Sequence, residues 1–344
     1  MTNIFGSPTN LKLKNPMSPR ALHNVIASRQ NIKNILDGKD ARILLIIGPC
    51  SFHDPDSALE YAYKLKKLSA KFANKLYIIM RVYPEKPRTC VGWKGYVNDP
   101  NLDASFSVDE GINNTRKFML ALAEIDMPIA TEILNPATYL YYEDLLSWAA
   151  IGARTVESQV HREIASNLAI PVAFKNNILG DIDVAINGMH FASCKQTFVG
   201  INNYGHISKI NALGNSYTHL ILRGSQLGPN YNKEHIDYAY KSLAMTNLPA
   251  NIIVDCSHGN SGKDYTKQVE VFNNVLSQRI NGNNSIVGLM LESFLQAGKQ
   301  QITADKNLLK YGCSITDACL GWEDTELLLE NACQQLANLD TCIL

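Results

Sequence analysis

Eight short apolar runs, most of them leading into polar or charged residues, recur along this chain and constrain its fold more than any other feature. The runs are "ILLIIGPC", "YIIMRVY", "PIATEIL", "ARTVESQ", "PVAFKN", "HLILRG", "NIIVDCSH" and "IVGLMLES". Most are followed by a stretch with helix-like patterning, such as "SALEYAYKLKKLSAKF" or "ATYLYYEDLLSWAAIG". Strand and helix alternating about eight times predict an α/β protein with a (β/α)8 TIM barrel. A doubly wound open sheet is the alternative.

Two further segments fall outside this alternation. Residues 1–40 are predicted to form an N-terminal arm and a helix, because apolar residues in "HNVIASRQNIKNILDGKD" recur at helical spacing and stop at Gly38. Residues 41–344 are predicted to form the catalytic barrel. Within it, "CKQTFVGINNYGHISKINALG" at 194–214 has β-branched residues around an Asn-Asn/Gly turn, which predicts an inserted β-hairpin.

Composition excludes several classes of protein. The 344 residues are 46% hydrophobic, which suffices for a large core, and the 32 Lys and Arg residues balance 32 Asp and Glu residues. Because nucleic-acid binding depends on a basic surface, no nucleic-acid partner is expected. No apolar run approaches membrane-spanning length, and the first residues lack a signal-peptide core, so a cytoplasmic protein without a membrane partner is expected. The 8 cysteines lack paired zinc-type spacing and are expected to be mostly reduced thiols.

Reactive side chains fall at the ends of the predicted strands, where TIM barrels carry their active sites. One set contains a thiol, an imidazole and two carboxylates: Cys50, His258, Glu292 and Asp317. This mixture of soft and hard donors suits a divalent transition metal better than Mg²⁺ or Ca²⁺. Each residue taken alone is also compatible with a structural role, because a free Cys is often a small buried residue.

A second set at the strand ends is cationic: Arg81, Lys86, Arg88, Arg154, Lys175 and Arg223. Part of it lies in the stiff stretch "YPEKPRTCVGWKGYVNDP" at residues 83–100. Cations that converge on one barrel mouth repel each other unless anions bind there, and guanidinium groups pair well with phosphate. The alternative for each is a salt bridge at the rim, as between Arg154 and Glu157.

Several long stretches carry a family resemblance. They are "GPCSFHD", "MRVYPEKPRTCVGWKGYVNDP", "ARTVESQVHREIASNL", "AFKN", "LRG", "DCSHGNSGKD", "MLES" and "YGCSITDACLGWEDTELLL". The chain resembles the type I 3-deoxy-D-arabino-heptulosonate-7-phosphate (DAHP) synthases of the microbial subfamily regulated by aromatic amino acids. The resemblance implies a TIM barrel that condenses phosphoenolpyruvate with D-erythrose 4-phosphate, the first step of the shikimate pathway. It also implies a homodimer or homotetramer.

The resemblance implies a role for each matching residue. The implied ligands of a divalent Mn, Fe, Co or Zn ion are Cys50, His258, Glu292 and Asp317. The implied phosphoenolpyruvate contacts are Arg81, Lys86, Arg154, Lys175 and Arg223. The "KPRT" element implies that Lys86, Pro87, Arg88 and Thr89 contact erythrose 4-phosphate, with Arg88 as the phosphate partner. Lys86 and His258 are candidates for moving protons.

The chain departs from the family pattern at two places. It reads "AFKNNILGD" where members usually read "GFKNGTDG", and "LRGSQLGP" where they usually read "LRGG". Altered loops are therefore expected beside the mouth of the barrel.

The resemblance also implies an inhibitor site at the hairpin. Phe198 could stack on an aromatic amino acid, and Gly200 faces the same side of the strand. A Gly there resembles the tyrosine-regulated type, with Ala169 as another implied wall of the pocket. Another aromatic inhibitor, or an unregulated hairpin, is the alternative.

Three other functions remain open at this point. One is the related condensation of phosphoenolpyruvate with arabinose 5-phosphate to 3-deoxy-octulosonate 8-phosphate. The second is a sensor that binds phosphoenolpyruvate without turnover. The third is a structural protein whose strand-end charges are accidental.

Overall fold

The strands close into a single parallel barrel. The computed structural model describes residues 6–341 apart from Thr89 and Ala304, with side chains described as far as residue 337. The barrel strands are β1 Ile43–Gly48, β2 Leu76–Arg81, β3 Ile129–Glu132, β4 Trp148–Ile151, β5 Val172–Lys175, β8 Thr218–Leu222, β9 Ile252–Asp255 and β10 Ile286–Glu292. Their order around the barrel is β1, β10, β9, β8, β5, β4, β3, β2, and each neighbouring pair is parallel. The predicted (β/α)8 fold is confirmed, and the open sheet is excluded.

Helices precede the barrel and join most of its strands. They are α1 Pro8–Lys14, α2 Pro19–Leu36, α3 Pro55–Lys71, α4 Val108–Glu124, α5 Gln159–Asn167, α6 Asp183–Ser193, α7 Lys233–Met245, α8 Gln268–Ile280 and α9 Trp322–Thr341. The start of α2 shows how local sequence sets these bounds: the Ser18 hydroxyl accepts the Ala21 N–H at 3.0 Å, and Pro19 occupies the first turn. In the part of the chain that the structure describes, no helix has both the length and the apolar character needed to cross a membrane.

The fourth strand does not lie where the sequence pattern placed it. The run "ARTVESQ" was expected to be a strand, but β4 is Trp148–Ile151, and residues 153–157 form turns closed by N–H groups of Thr155 and Val156 that donate to the Gly152 carbonyl. The helix expected in "ATYLYYEDLLSWAAIG" is replaced by two 3-10 turns, Thr138–Tyr141 and Glu143–Leu145. The reason is burial: all four residues of β4 are buried between neighbouring strands, while "ARTVESQ" is mostly polar.

The inserted hairpin is confirmed between α6 and β8. Its antiparallel strands are β6 Gln196–Ile201 and β7 Ile207–Ala212, and residues alternate between exposed and half-buried along both. Helix α1 holds the turn of the hairpin, because the Thr9 N–H donates to the Asn203 carbonyl at 2.9 Å and the Lys12 ammonium donates to the Asn203 side chain at 3.1 Å.

A polar pair lies inside the barrel near the amino ends of its strands. The Trp148 indole N–H donates to Nε2 of His219 at 2.9 Å, and Nδ1 of His219 lies 3.2 Å from the Tyr217 carbonyl. Nε2 therefore accepts and Nδ1 donates, which requires a neutral imidazole. Both side chains are fully buried, and burial lowers the pKa of His219 to about 4.

We expect the neutral His219 to make stability depend on pH. The pKa of His219 is lower in the folded state than in the unfolded state, where it is about 6.5. The neutral imidazole therefore contributes its full stabilisation above about pH 6.5, and this stabilisation is lost as the pH falls toward about 4. In urea unfolding, the difference in free energy between wild type and His219→Gln should shrink by about 2 kcal/mol from about pH 7 to about pH 5.

The exposed His23 on α2 offers a matched control. His23→Gln removes an imidazole that lies outside the barrel, and the free-energy difference from wild type should change more with pH for His219→Gln than for this control. A constant difference for His219→Gln would contradict the assignment.

Candidate active site

Three of the four predicted metal ligands converge at the carboxyl end of the barrel. One ligand atom each from Cys50, Glu292 and Asp317 lies within 4.8 Å of the others. Cys50 follows β1, Glu292 ends β10, and Asp317 lies in the loop after β10. His258 borders this cluster, since its Nε2 lies 3.6 Å from Oε1 of Glu292.

The electrostatics of the cluster fit a cation. Burial raises the pKa of the Cys50 thiol, and the negative charge of Glu292 raises it further. Burial also opposes ionisation of Asp317, but the charges of Lys86 and His258 outweigh it and hold the pKa of Asp317 below its usual range. A bound divalent ion would relieve the crowding of these acidic groups and favour the thiolate. The donor set therefore fits a divalent transition metal, as its chemistry predicted.

The predicted cations surround one cavity beside that cluster. The cavity has a volume of about 420 Å³, within the range of small-molecule sites. Its lining includes Lys86, Pro87, Arg88, Arg154, Lys175 and Arg223 from the predicted substrate set, together with His258 and Asp317. Arg81 is not part of this lining, and Thr89 lies outside the described residues.

Two of the cations are paired with buried carboxylates. The Arg81 guanidinium lies 3.2 Å from Glu292, and the Lys175 ammonium lies 2.8 Å from Asp255. Lys86 instead donates to the Cys50 carbonyl at 3.0 Å and lies 3.2 Å from the Cys50 sulfur. These contacts within the protein hold the three cations close to the cluster of Cys50, Glu292 and Asp317.

The cavity still has an excess of positive charge. Six Lys or Arg side chains line it against two carboxylates, Glu132 and Asp317. Burial lowers the pKa of Arg223, and among the described ion pairs none joins Arg223 or Arg88 to a carboxylate. A site with this charge is suited to small anions, and phosphate groups pair especially well with guanidinium.

The stiff loop after β2 is held by a buried carboxylate. Glu85 accepts from the Thr138 hydroxyl at 2.7 Å and from the Tyr142 hydroxyl at 3.4 Å. The loop closes on itself where the Lys86 N–H donates to the Lys94 carbonyl at 2.9 Å. Gly95 is required there, because its φ is 110° and a Cβ would collide with the backbone at Pro84. The loop thus presents Lys86 at a fixed position.

Sequence reasoning missed six polar residues of the cavity lining: Tyr83, Glu132, Ser225, Gln226, Lys263 and Thr316. Glu132 ends β3 and Tyr83 follows β2, so the strand-end rule could have found both. Lys263 lies in "DCSHGNSGKD", five residues after His258, and carried no signal of its own. Gly152 leaves room for Glu132, because a Cβ at Gly152 would overlap its carboxylate.

The two atypical loops lie together at the rim. The Gln226 N–H donates to the Ile178 carbonyl at 3.2 Å, and both residues line the cavity. Both atypical segments therefore lie at the mouth of the cavity, where they contact each other.

A second cavity of about 310 Å³ lies beneath the hairpin. Phe198, Gly200 and Ile210 line it from the hairpin, and Leu168 lines it from the end of α5. Ala169 is exposed and is not part of this lining, so the structure places its neighbour Leu168 in the predicted position. A Cβ at Gly200 would lie 3.0 Å from Ile210 and 3.2 Å from the Phe198 ring, which makes this wall tight.

Comparison with known proteins agrees with this architecture. The Tyr-sensitive phospho-2-dehydro-3-deoxyheptonate aldolase of Escherichia coli K12 is 46% identical over 333 residues, 97% of this chain and 93% of the relative. The Phe-sensitive enzyme of the same strain is 45% identical, covering 96% of this chain and 93% of the relative. A solved structure of phospho-2-dehydro-3-deoxyheptonate aldolase from Francisella tularensis SCHU S4 superposes with a TM-score of 0.94 and 41% identity, over 97% of each chain. Residues 20–330 match the model of the DAHP synthetase I family, and with identities this high over nearly the whole length, the chain belongs to that family.

Proposed function

We propose that this chain is a DAHP synthase, which condenses phosphoenolpyruvate and D-erythrose 4-phosphate with water to give DAHP and phosphate. The observation that supports this most is the cation-lined cavity directly beside the Cys50, Glu292 and Asp317 cluster. Both substrates are phosphorylated, so the charge of the cavity matches them. Family membership and the names of the relatives support the same reaction.

Phosphoenolpyruvate is held by the inner cations of the cavity. Lys86, Arg154, Lys175 and Arg223 supply ammonium and guanidinium donors for its carboxylate and phosphate. Arg81 adds its positive charge from behind Tyr83, since its guanidinium lies 4.0 Å from the centre of that ring. Arg88, with Pro87 and the predicted Thr89, serves the phosphate of erythrose 4-phosphate. Holding both substrates in their reacting positions lowers the entropic part of the activation barrier.

The metal ligands are Cys50, His258, Glu292 and Asp317, and Mn²⁺, Fe²⁺, Co²⁺ and Zn²⁺ suit this donor set. When bound, such an ion supplies Lewis-acid polarisation of the aldehyde oxygen.

The chain's own residues prepare the proton transfers. A bond forms between the methylene carbon of phosphoenolpyruvate and the aldehyde carbon, and the aldehyde oxygen gains a proton. Water adds to the second carbon, loses protons, and phosphate leaves as that carbon becomes a ketone. Lys86 and His258 both line the cavity and are the candidates to transfer these protons. Asp255 holds Nδ1 of His258 at 2.9 Å, which leaves Nε2 directed toward Glu292.

We also propose that the cavity beneath the hairpin binds an aromatic amino acid that inhibits the enzyme, with tyrosine as the preferred ligand. Phe198 supplies an aromatic ring for stacking, and Gly200 lies beside that ring in the same wall of the cavity. Because the cavity is separate from the metal cluster, such inhibition is allosteric.

The reaction predicts a clear preference among aldose phosphates. With phosphoenolpyruvate and Mn²⁺, release of phosphate should require erythrose 4-phosphate and should be at least about 100-fold slower with arabinose 5-phosphate. A chromatographic assay of the sugar acid should identify DAHP. Faster turnover of arabinose 5-phosphate would favour the octulosonate reaction, and binding of phosphoenolpyruvate without turnover would favour the sensor.

Removal of a metal ligand should abolish activity together with metal binding. EDTA should stop turnover, and one of the four metals should restore it. Cys50→Ala should retain less metal by mass spectrometry and lose at least about 100-fold in kcat, since even changes behind the ligands cost about 10- to 100-fold.

Cys256→Ala is the matched control, because Cys256 is also a buried thiol near a strand end but does not belong to the cluster. It should keep its metal and its activity. Full turnover of Cys50→Ala at saturating metal would refute the ligand assignment.

Inhibition should depend on Gly200. Initial rates should fall with added tyrosine more than with phenylalanine or tryptophan. Gly200→Ser should weaken inhibition by at least about 10-fold in tyrosine concentration, because the new side chain crowds Phe198 and Ile210.

Thr197→Ser, which alters an exposed residue of the same strand, should leave inhibition unchanged. Equal rates with all three amino acids would end the regulatory proposal, whereas tyrosine inhibition that survives Gly200→Ser would place the site elsewhere.

A further inference from the structure

Tyr83 forms part of the wall of the cavity proposed to bind substrate. It lies two residues beyond the end of β2, is 2% exposed, and lines the cavity with Lys86, Glu132 and Lys175. The Arg81 guanidinium lies 4.0 Å from the centre of its ring, and the Lys86 ammonium lies 5.9 Å from it. A cation is attracted to the face of an aromatic ring, so these two contacts hold the Tyr83 ring in place.

The hydroxyl of Tyr83 has no hydrogen-bond partner among the described residues. A buried polar group left without a partner costs free energy, and folded proteins pair most such groups. Tyr142 illustrates the usual outcome, since its buried hydroxyl reaches the Glu85 carboxylate at 3.4 Å. Tyr83 lacks such an acceptor among the described residues, and a ligand in the cavity that its side chain lines would provide one.

The Tyr83 hydroxyl keeps its proton at neutral pH. Burial raises the pKa of Tyr83 well above its usual value, although the charge of Arg81 opposes this. The group is therefore a donor, and its natural partner is an anionic oxygen.

An unpaired buried hydroxyl is not sufficient by itself. Tyr61 also has one, but it packs against Phe294 and Trp322 and does not line the substrate cavity. The location of Tyr83, among the cations assigned to phosphoenolpyruvate, distinguishes the two.

We propose that the Tyr83 hydroxyl donates a hydrogen bond to an anionic oxygen of phosphoenolpyruvate and is a further substrate-binding residue of this site. The assignment rests on the proposed function for the identity of the ligand. Phosphoenolpyruvate is favoured over the aldose phosphate because Arg81, which lies 4.0 Å from the centre of the Tyr83 ring, and Lys175, which lines the same cavity, are assigned to phosphoenolpyruvate alone. The phosphate of the aldose is assigned to Arg88.

The test uses Tyr83→Phe, which keeps the ring and removes only the hydroxyl. Tyr61→Phe is the matched control, because it removes a buried and unpaired hydroxyl elsewhere. Calorimetric titration with phosphoenolpyruvate alone, on the protein as isolated, reports binding without turnover. Steady-state rates with both substrates report KM for each.

Tyr83→Phe should raise the Kd and the KM for phosphoenolpyruvate by about 10- to 100-fold, as expected for a hydrogen bond to a charged group. The KM for erythrose 4-phosphate should change less than about twofold, and Tm should stay within about 2 °C of wild type, since no protein hydrogen bond is lost. Tyr61→Phe should match wild type in every binding and kinetic constant.

The outcomes separate this assignment from the proposed function. A wild-type Kd for Tyr83→Phe would overturn the assignment, even if the enzyme makes DAHP. If the KM for erythrose 4-phosphate rose and the Kd for phosphoenolpyruvate did not, the assignment would also fail. If wild type bound phosphoenolpyruvate through Tyr83 but formed no DAHP, the proposed reaction would fail and the assignment would stand.

Discussion

The ion pairs of the Asp255 carboxylate are the interactions on which the site depends. It is fully buried at the end of β9, and it contacts the Lys175 ammonium at 2.8 Å and Nδ1 of His258 at 2.9 Å. Burial opposes its charge, but His258 and Lys175 outweigh burial and hold the pKa of Asp255 well below its usual range. Removing either partner would leave this buried charge only partly compensated, and breaking a buried ion pair costs several kcal/mol, roughly 3–5. One anion therefore positions Lys175, which we propose binds phosphoenolpyruvate, and His258, which we propose as a metal ligand.

The barrel makes such sharing possible because the carboxyl ends of its strands meet at one face. Lys175 ends β5, Asp255 ends β9 and Glu292 ends β10, so residues far apart in the chain become neighbours without long flexible loops. Glu292 repeats the arrangement, since it contacts Arg81 at 3.2 Å and His258 at 3.6 Å. The two acids that pair with Lys175 and Arg81 therefore also contact His258, a proposed metal ligand.

Strand ends could be read from the sequence because an apolar run followed by a reactive side chain is a local pattern. The strand pattern predicted the barrel, the turn residues predicted the hairpin, and eight of the eighteen residues that line the cavity were named in advance. The family resemblance supplied their roles. The fourth strand was misplaced because Trp148–Ile151 is only four residues long and merges with the preceding apolar residues. Arg81 lies behind Tyr83, and Leu168 rather than Ala169 lines the second cavity. Both placements depend on tertiary packing, which no local sequence pattern encodes.

A buried network of asparagine amides explains how the rim loops can depart from the family pattern while Arg223 keeps its place. Asn176 accepts the Arg223 N–H at 2.9 Å, Asn230 accepts the Gly224 N–H at 2.7 Å, and Asn260 accepts the Asn230 N–H at 2.7 Å. Asn260 also donates to the Asp255 carbonyl at 2.8 Å, so the network joins the ends of three strands beneath the loops. Satisfied amide networks of this kind are rigid. The segments "NILGD" and "SQLGP" follow strand ends that this network joins. Changes in their sequence can therefore alter the shape of the rim without moving Arg223.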